Sequence, residues 1–247
     1  MVIESGPVHR RSIRVRLADL PGALHQLTSL VTEAGVNIVR LEVVSREQPD
    51  VWDDIELTAD AADQLDAVVR ALKDLGLPVI GLPGSWSIRD WAVDVLASLE
   101  NLGKASDPVQ AISEFTGTAA ALANVDNAFV LMQPGGPDAS AAEARWSLIQ
   151  RAAAAFDPDS VKWSGDTVGG RIVVSAMKAA RRDDTYALES KSAIGAVVRI
   201  PISSNRPAHL AVVGQRPAFL APELSRLEMF AQVAAPHLSA TRARATA

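Results

Sequence analysis

The sequence contains no cysteine. This absence excludes disulfides, thiolate metal sites and cysteine nucleophiles, and it suits a reducing compartment. No apolar run reaches the roughly 20 residues that a membrane-spanning helix needs. The opening MVIESGPVHRRS also lacks the apolar core of a signal peptide. We therefore expect a cytoplasmic protein that does not bind membranes.

Positive charge is less abundant than negative charge. The 24 Lys and Arg residues face 29 Asp and Glu residues, which gives a formal net charge of −5. A nucleic-acid-binding protein would normally carry a basic surface, so we expect no nucleic-acid partner. Hydrophobic residues make up 48% of the 247 residues, which is enough to form the cores of one or two domains.

Recognisable catalytic motifs are absent as well. The sequence has no HExxH, GxSxG or calcium-loop pattern, and GDTVGG at 165–170 lacks the Lys-Ser/Thr of a phosphate-binding loop. Its four histidines are scattered, with no pair at metal-ligand spacing: they are His9, His25, His209 and His237. We therefore expect no enzyme activity, no catalytic residues, no metal and no cofactor.

The first eighty residues alternate between strand and helix patterns. Ile13, Val15 and Leu17 alternate with polar residues, as in a half-buried strand. A helical stripe runs from Leu24 to Ala34, with Pro21 expected at the first helical position and Gly35 as a left-handed cap. The remaining patterns predict strands at 39–43 and 55–57, a helix at 65–72 that Gly76 caps, and a strand at 77–82. The resulting order is βαββαβ, a ferredoxin-like unit of the α+β class with its helices on one sheet face.

Two short motifs in this region resemble those of the ACT domain. They are DLPGAL at 19–24 and GVNI at 35–38, and the resemblance extends over about residues 11–83. ACT domains are small regulatory modules that bind amino acids and related metabolites, usually at a dimer interface. The resemblance therefore implies a homodimer in which the turn of one subunit and the Asn-containing strand of its partner share the ligand.

The chemistry of these residues suits an amino acid. A helix N-terminus offers unpaired N–H groups to a carboxylate, and Gly22 lets a ligand approach the backbone. Asn37 carries a donor and an acceptor, and Asp19 supplies an anion for an ammonium group, although many ACT domains have Asn at that position. The candidate ligand-binding residues are Asp19, Leu20, Pro21, Gly22, Ala23, Leu24, Val36, Asn37 and Ile38.

A structural interpretation of the same residues stays open. Pro-Gly before a helix is common turn chemistry, and Asn37 can simply complete a strand end. Some ACT domains bind no ligand and only dimerise. The alternative function is therefore a dimerisation or interaction scaffold that needs no metabolite.

The remainder of the chain predicts a second domain at 88–244, after a linker at 81–87. Helical stripes run from Ile88 to Leu102, from Pro108 (with Asp107 as N-cap) to Ala123, and from Trp146 to Phe156. Alternating patterns predict strands at 127–133, 171–177, 194–202 and 209–215. A long helix follows at 219–238, and Pro236 is expected to kink or weaken it.

The closing part of this region resembles a GAF domain. The matching residues are Pro201, Gly214, Phe219, Glu223, Leu224, Leu227 and Phe230. The resemblance implies an antiparallel sheet flanked by helices that binds cyclic nucleotides, haem, bilins or metabolites, or that only dimerises. The chain lacks the cysteine for bilin attachment and the Asn-Lys-x-x-x-Asp-Glu run of members that bind cyclic nucleotides. His209 is interpreted as structural rather than as a haem ligand.

Together these patterns predict a regulatory protein without an enzyme of its own. The ACT-like domain would bind an amino acid at its dimer interface. No kinase, cyclase or helix-turn-helix pattern follows the GAF-like region. We therefore expect the GAF-like domain to signal to a separate protein effector.

Overall fold

The computed structural model of the chain describes residues 8–47, 49–125, 127–132, 147–151, 185–189, 194–201, 208–214 and 216–245. The chain divides into two compact units, Met1–Ile88 and Arg89–Ala247. Each unit has its own antiparallel sheet and its own hydrophobic core. No helix in these described ranges is long and apolar enough to cross a lipid bilayer.

The first unit has the predicted order βαββαβ. Its elements are β1 (His9–Ala18), α1 (Ala23–Glu33), β2 (Asn37–Glu47), β3 (Asp50–Ala59), α2 (Ala62–Asp74) and β4 (Val79–Gly81). The strands form an antiparallel sheet in the order β2-β3-β1-β4. β3 and β1 therefore occupy the middle of the sheet, and β2 and β4 form its edges.

The core of this unit lies between the two helices and one face of the sheet. Alternate residues of the central strands point to that face, among them Ile13, Val15 and Ile55, each at most 1% exposed. The helices contribute buried stripes at helical spacing, consisting of Leu27 and Val31 from α1 and Leu65, Val68 and Leu72 from α2. The strands, with a side-chain period of two residues, and the helices, with a period of 3.6 residues, thus contribute their apolar side chains to one layer.

Glycines end both helices of the unit in left-handed conformations. Gly35 has φ +67° after α1, and Gly76 has φ +75° after α2, which is the backbone region that glycine enters without steric cost. The start of α1 differs from the expectation. Gly22, at φ +93°, is the N-cap and Ala23 begins the helix, so Pro21 lies two residues before the first helical residue.

A buried ion pair occupies the sheet face opposite the helices. Arg14 Nε donates to Asp54 Oδ1 at 2.7 Å and Arg14 Nη2 donates to Asp54 Oδ2 at 3.0 Å, with the two side chains 1% and 3% exposed. The ring of Trp86 lies 5.2 Å from the Arg14 guanidinium carbon. A charged pair this far from water is stable only because its geometry is bidentate and covered.

The segment at 81–88 provides that cover, so the prediction of a simple linker at 81–87 was wrong. Trp86 and Ile88 are 7% and 4% exposed, and the Leu82 N–H donates to the Ser12 carbonyl at 3.0 Å. The Arg40 guanidinium also donates to the carbonyl of Ile88. Ile88 therefore packs with the first unit, and the next helix begins only at Trp91, capped by Asp90.

The second unit places helices against a five-stranded sheet. Its described elements are α3 (Trp91–Lys104), α4 (Pro108–Ala123), β5 (Asn127–Met132), β6 (Ser147–Arg151), β7 (Thr185–Glu189), β8 (Ile194–Ile200), β9 (Ala208–Gly214) and α5 (Ala221–Ala245). The strands are antiparallel in the order β6-β5-β9-β8-β7. The predicted α+β class, with an antiparallel sheet and flanking helices here, is confirmed.

Two aromatic rings join α4 and α5 in the core of this unit. The Phe115 and Phe230 rings stack with centroids 5.1 Å apart, and both side chains are fully buried. α5 continues through Pro236 to Ala245, so the helix does not end at that proline. Close packing also explains Gly214, because a Cβ there would lie 2.8 Å from the Val125 Cβ.

The prediction of a helix from Trp146 to Phe156 was wrong where it can be compared. Residues Ser147–Arg151 form strand β6, which pairs antiparallel with β5. β7 was not predicted at all. The expected strand at 171–177 and the rest of the expected helix lie outside the described residues.

The buried ion pair leads to a stability prediction. Replacing Asp54 with Ala leaves the Arg14 guanidinium buried without its carboxylate, which should lower the free energy of unfolding by about 3–5 kcal/mol. The matched control is Asp50→Ala on the same strand. Its carboxylate lies 3.6 Å from Arg16 and is 34% exposed, so the loss should be below about 1 kcal/mol. Guanidinium denaturation followed by circular dichroism measures both, and equal losses would contradict the role given to the pair.

Candidate functional site

The turn between β1 and α1 presents an exposed glycine at the start of a helix. The Asp19 N–H donates to the Pro49 carbonyl at 2.8 Å and the Leu20 N–H donates to the Ala18 carbonyl at 2.8 Å, which fixes the turn against the end of the sheet. Gly22 is the N-cap of α1, and no side chain bonds the first N–H groups of the helix at this position. A Cβ placed on Gly22 would meet no atom within 4 Å, so a ligand can approach this backbone directly.

The candidate residues of the turn are mostly accessible. Asp19, Pro21 and Gly22 are exposed, Ala23 is half-buried, and the side chains of Leu20 and Leu24 are 68% and 44% exposed. Exposed leucines around a helix N-terminus provide an apolar surface beside a group that attracts anions. The turn therefore offers both kinds of contact that an amino acid needs.

The GVNI segment lies at the start of β2. Asn37 is the first residue of that strand and is exposed, whereas Val36 is 7% exposed and Ile38 packs against the core of the unit. Val36 and Ile38 thus hold the strand in place, and Asn37 is the residue of the segment that a ligand can reach.

The two halves of the candidate site lie at opposite ends of one sheet. Ala18, which precedes the turn, pairs with Asp50 of β3, whereas Asn37 pairs with Thr58 of the same strand. Asp50 and Thr58 are eight residues apart along β3, which corresponds to roughly 26 Å of extended chain. One chain therefore cannot place its turn and its Asn37 around the same small molecule.

β2 forms an edge of the sheet in the first unit. It pairs with β3 on one side, with register shifts between Ile38 and Arg40 and between Val43 and Ser45. Its exposed apolar side chains are Val39 and Val43, at 48% and 39% exposure. Such an edge is a natural surface for another copy of the chain, and bulges of this kind restrict which register can form.

A buried carboxylate lies on the helix-covered face of the sheet. Asp53 pairs with the fully buried Val15 and is itself 4% exposed. Within the described part of the chain its Oδ1 has no hydrogen-bond partner. The pKa of Asp53 is raised from 3.8 to about 6, mainly because burial disfavours the charged form, with the neighbouring Asp54 carboxylate adding to the rise and Arg46 opposing it.

Asp53 and Asp54 therefore have separate roles. Adjacent strand residues point to opposite faces, and Asp54 is held in the ion pair with Arg14 on the other side of the sheet. They are not a catalytic pair of carboxylates. Among the described residues no group of His, Asp and Glu side chains is arranged to hold a metal ion.

His209 is buried in the second unit. It lies on β9 with 5% exposure, opposite Arg199 of β8. Further along the chain, Arg216 Nη2 donates to Glu223 Oε1 at 2.6 Å, and the Arg216 guanidinium carbon lies 3.6 Å from the Phe219 ring centroid. These contacts join the end of the sheet to the start of α5.

The first unit has the architecture of a ferredoxin-like βαββαβ module with an accessible β1–α1 turn. Its sequence matches the family model of the ACT domain over residues 11–77. The first unit is therefore an ACT domain, a class of regulatory module that generally binds small molecules such as amino acids and often dimerises. A comparison with curated proteins finds no match for the chain.

Solved structures similar to the chain include GAF domains. The GAF domain of a phosphoenolpyruvate-protein phosphotransferase from Coxiella burnetii is 10% identical with a TM-score of 0.46, covering 64% of this chain and 98% of that one. Its counterpart from Acinetobacter is 12% identical with a TM-score of 0.43, covering 63% and 97%. The chromophore-binding domain of a bacteriophytochrome from R. palustris is 12% identical with a TM-score of 0.43, covering 94% of both chains. With TM-scores below 0.5 these similarities do not identify the second unit, so its GAF interpretation stays a prediction from the sequence.

The pKa of Asp53 leads to a prediction about pH. Because the folded state holds this proton more tightly than the unfolded state, unfolding releases a proton between about pH 4 and 6, and stability falls as pH rises through that range. Asp53→Asn keeps the shape without the charge. The variant should therefore match the native chain at pH 4 and exceed its unfolding free energy by about 3 kcal/mol at pH 7.5.

Denaturant titrations of both proteins at pH 4, 5, 6 and 7.5 test this expectation. Asp74→Asn, which removes an exposed carboxylate near the end of α2, is the matched control for the loss of one negative charge. A constant difference between Asp53→Asn and the native chain would contradict the raised pKa.

Proposed function

We propose that this protein is a non-enzymatic cytoplasmic regulator that binds an amino acid between the ACT domains of two copies of the chain. The observation that carries the proposal is the placement of the β1–α1 turn and Asn37 at opposite ends of one sheet. Each chain then contributes one half to each of two equivalent sites.

Two-fold symmetry brings these halves together. β2 runs from Asn37 to Glu47, and Glu47 pairs with Asp50 at the sheet end that carries the turn. If the β2 edges of two copies lie side by side in antiparallel directions, Asn37 of the partner subunit reaches the end where the first copy has its Pro21–Gly22 turn. The exposed Val39 and Val43 side chains supply apolar surface for that contact.

The residues on the two sides recognise different groups of an amino acid. The α-carboxylate would lie at the N-terminus of α1, where Gly22 leaves the backbone open and the helix dipole is favourable. The amide of Asn37 would bridge the carboxylate and the ammonium, and Asp19 would pair with the ammonium. Leu20 and Leu24 would contact the ligand side chain.

The second unit would report the occupied state to a separate protein effector. This step requires the amino acid to bind one arrangement of the two copies more tightly than another. The sheet and helices of the second unit supply a folded module for that contact, and its GAF-like sequence pattern is of a type found in sensory proteins. A dimer that forms and binds its effector regardless of any amino acid would instead favour the scaffold function.

The ligand is found with a panel of the twenty amino acids in thermal-shift assays, followed by calorimetry. A ligand at 100 times its dissociation constant adds about 2.7 kcal/mol, which raises the midpoint of the ACT unit by several degrees. Asn37→Ala and Gly22→Val should each weaken binding at least tenfold. Gly76→Val, at a left-handed glycine outside the site, controls for backbone strain.

A mixing experiment tests whether two chains share the site. Gly22→Val destroys the turn half and Asn37→Ala destroys the strand half, so neither homodimer should bind. A mixed dimer pairs the intact turn of the Asn37→Ala chain with the intact Asn37 of the Gly22→Val chain. Co-refolded equal mixtures should therefore recover about a quarter of the native binding sites in calorimetry (half of the chains form mixed dimers, each with one intact site). No recovery would contradict the shared site.

A further inference from the structure

A cavity of about 620 Å³ lies on the helix-free face of the ACT unit. Strands β1, β2 and β3 form its floor, and the segment at 81–88 forms a wall that includes Trp86 and Ser87. Cavities of roughly 300–1,000 Å³ are typical of small-molecule sites. Neither Pro21 nor Gly22 lines it, so it is separate from the turn half of the amino-acid site.

Arginine side chains give this cavity a positive lining. The guanidinium groups of Arg10 and Arg40 line it, together with one carboxylate, that of Glu56. Arg11 also borders the cavity, but its side chain bonds Asp66 of α2 on the helix-covered face of the sheet. The positive excess runs against the chain as a whole, whose net charge is −5. Clefts lined by one sign of charge concentrate ligands of the opposite sign.

The arginines are only partly engaged by protein groups. Arg10 Nη1 lies 2.8 Å from Glu56 Oε1, and Arg10 remains 67% exposed. Arg40 donates to the Ile88 carbonyl. Each guanidinium carries five N–H donors in a fixed fork, so these contacts orient the groups and leave donors for a ligand.

The wall of the cavity is held in place by buried side chains that pack on the sheet. Trp86 is 7% exposed and lies over the buried Arg14 guanidinium, and Ser12 on the floor is 9% exposed. A Cβ on Gly84 would meet no atom within 4 Å, which leaves room at the cavity rim. The indole and the arginines together suit a compact molecule with an anionic group.

We propose that this cavity is a second ligand site of the ACT unit, for a small metabolite bearing carboxylate or phosphate groups. Planar guanidinium groups bind both of these anions through paired hydrogen bonds. Arg10 and Arg40 contact the anion, Glu56 limits the affinity for highly charged ligands, and Trp86 provides the apolar wall.

Calorimetry on the full chain tests the site with pyrophosphate and citrate as probes, at constant ionic strength set with chloride. Arg10→Gln should weaken binding of the preferred probe about tenfold, since a charge-assisted bond is lost. Glu56→Gln should strengthen it several-fold, because it removes the one carboxylate of the lining. Arg16→Gln is the matched control: Arg16 is on the same strand, is 45% exposed and lies outside the cavity.

Arg10→Gln and Glu56→Gln are expected to change probe affinity in opposite directions, which distinguishes a specific binding site from a general effect of surface charge. Equal weakening by Arg10→Gln and Arg16→Gln, no gain from Glu56→Gln, or no binding of either probe by the native chain would overturn the proposal. Gly22→Val, which removes the proposed amino-acid site, should leave probe binding unchanged. Loss of probe binding in that variant would also count against a separate site.

Discussion

The ion pair between Arg14 and Asp54 is the constraint on which the helix-free face of the ACT unit depends. Two charges at 1% and 3% exposure are unfavourable unless both hydrogen bonds form and water is kept away. The buried Trp86 ring covers the Arg14 guanidinium, so the segment at 81–88 must pack on the sheet. The same segment then forms the wall beside which the arginine-lined cavity opens. The ion pair in the sheet thus determines where the segment at 81–88, which is distant from it in sequence, packs.

Local physics made most of the first unit predictable. Alternating apolar residues specified the strands, 3.6-residue stripes specified the helices, and Gly35 and Gly76 marked the helix ends because both need positive φ. The start of α1 was misplaced because Pro21 suits more than one position near a helix start. The segment at 81–88 was missed because the burial of Trp86 arises from contacts with a strand some seventy residues earlier, which no local pattern encodes.

The second unit shows the limit of short patterns more clearly. A helical spacing of Trp146, Ile149 and Ala153 suggested a helix, yet 147–151 pairs with β5 as a strand. A run of five residues fits both periods, so the tertiary pairing decides. The candidate site could be predicted only in part. Its residues could be named from the sequence, but only the sheet topology shows that the turn and Asn37 of one chain lie at opposite ends of the sheet.

That separation has a consequence for how the proposed regulator would respond. A site assembled from two chains exists only in the dimer, so binding of the ligand is coupled to dimerisation. Each of the two binding events therefore raises the apparent affinity of the other. The response threshold is then not a fixed property of the fold. It shifts with the amount of the protein itself, so that scarce protein would require more metabolite for the same occupancy and abundant protein less.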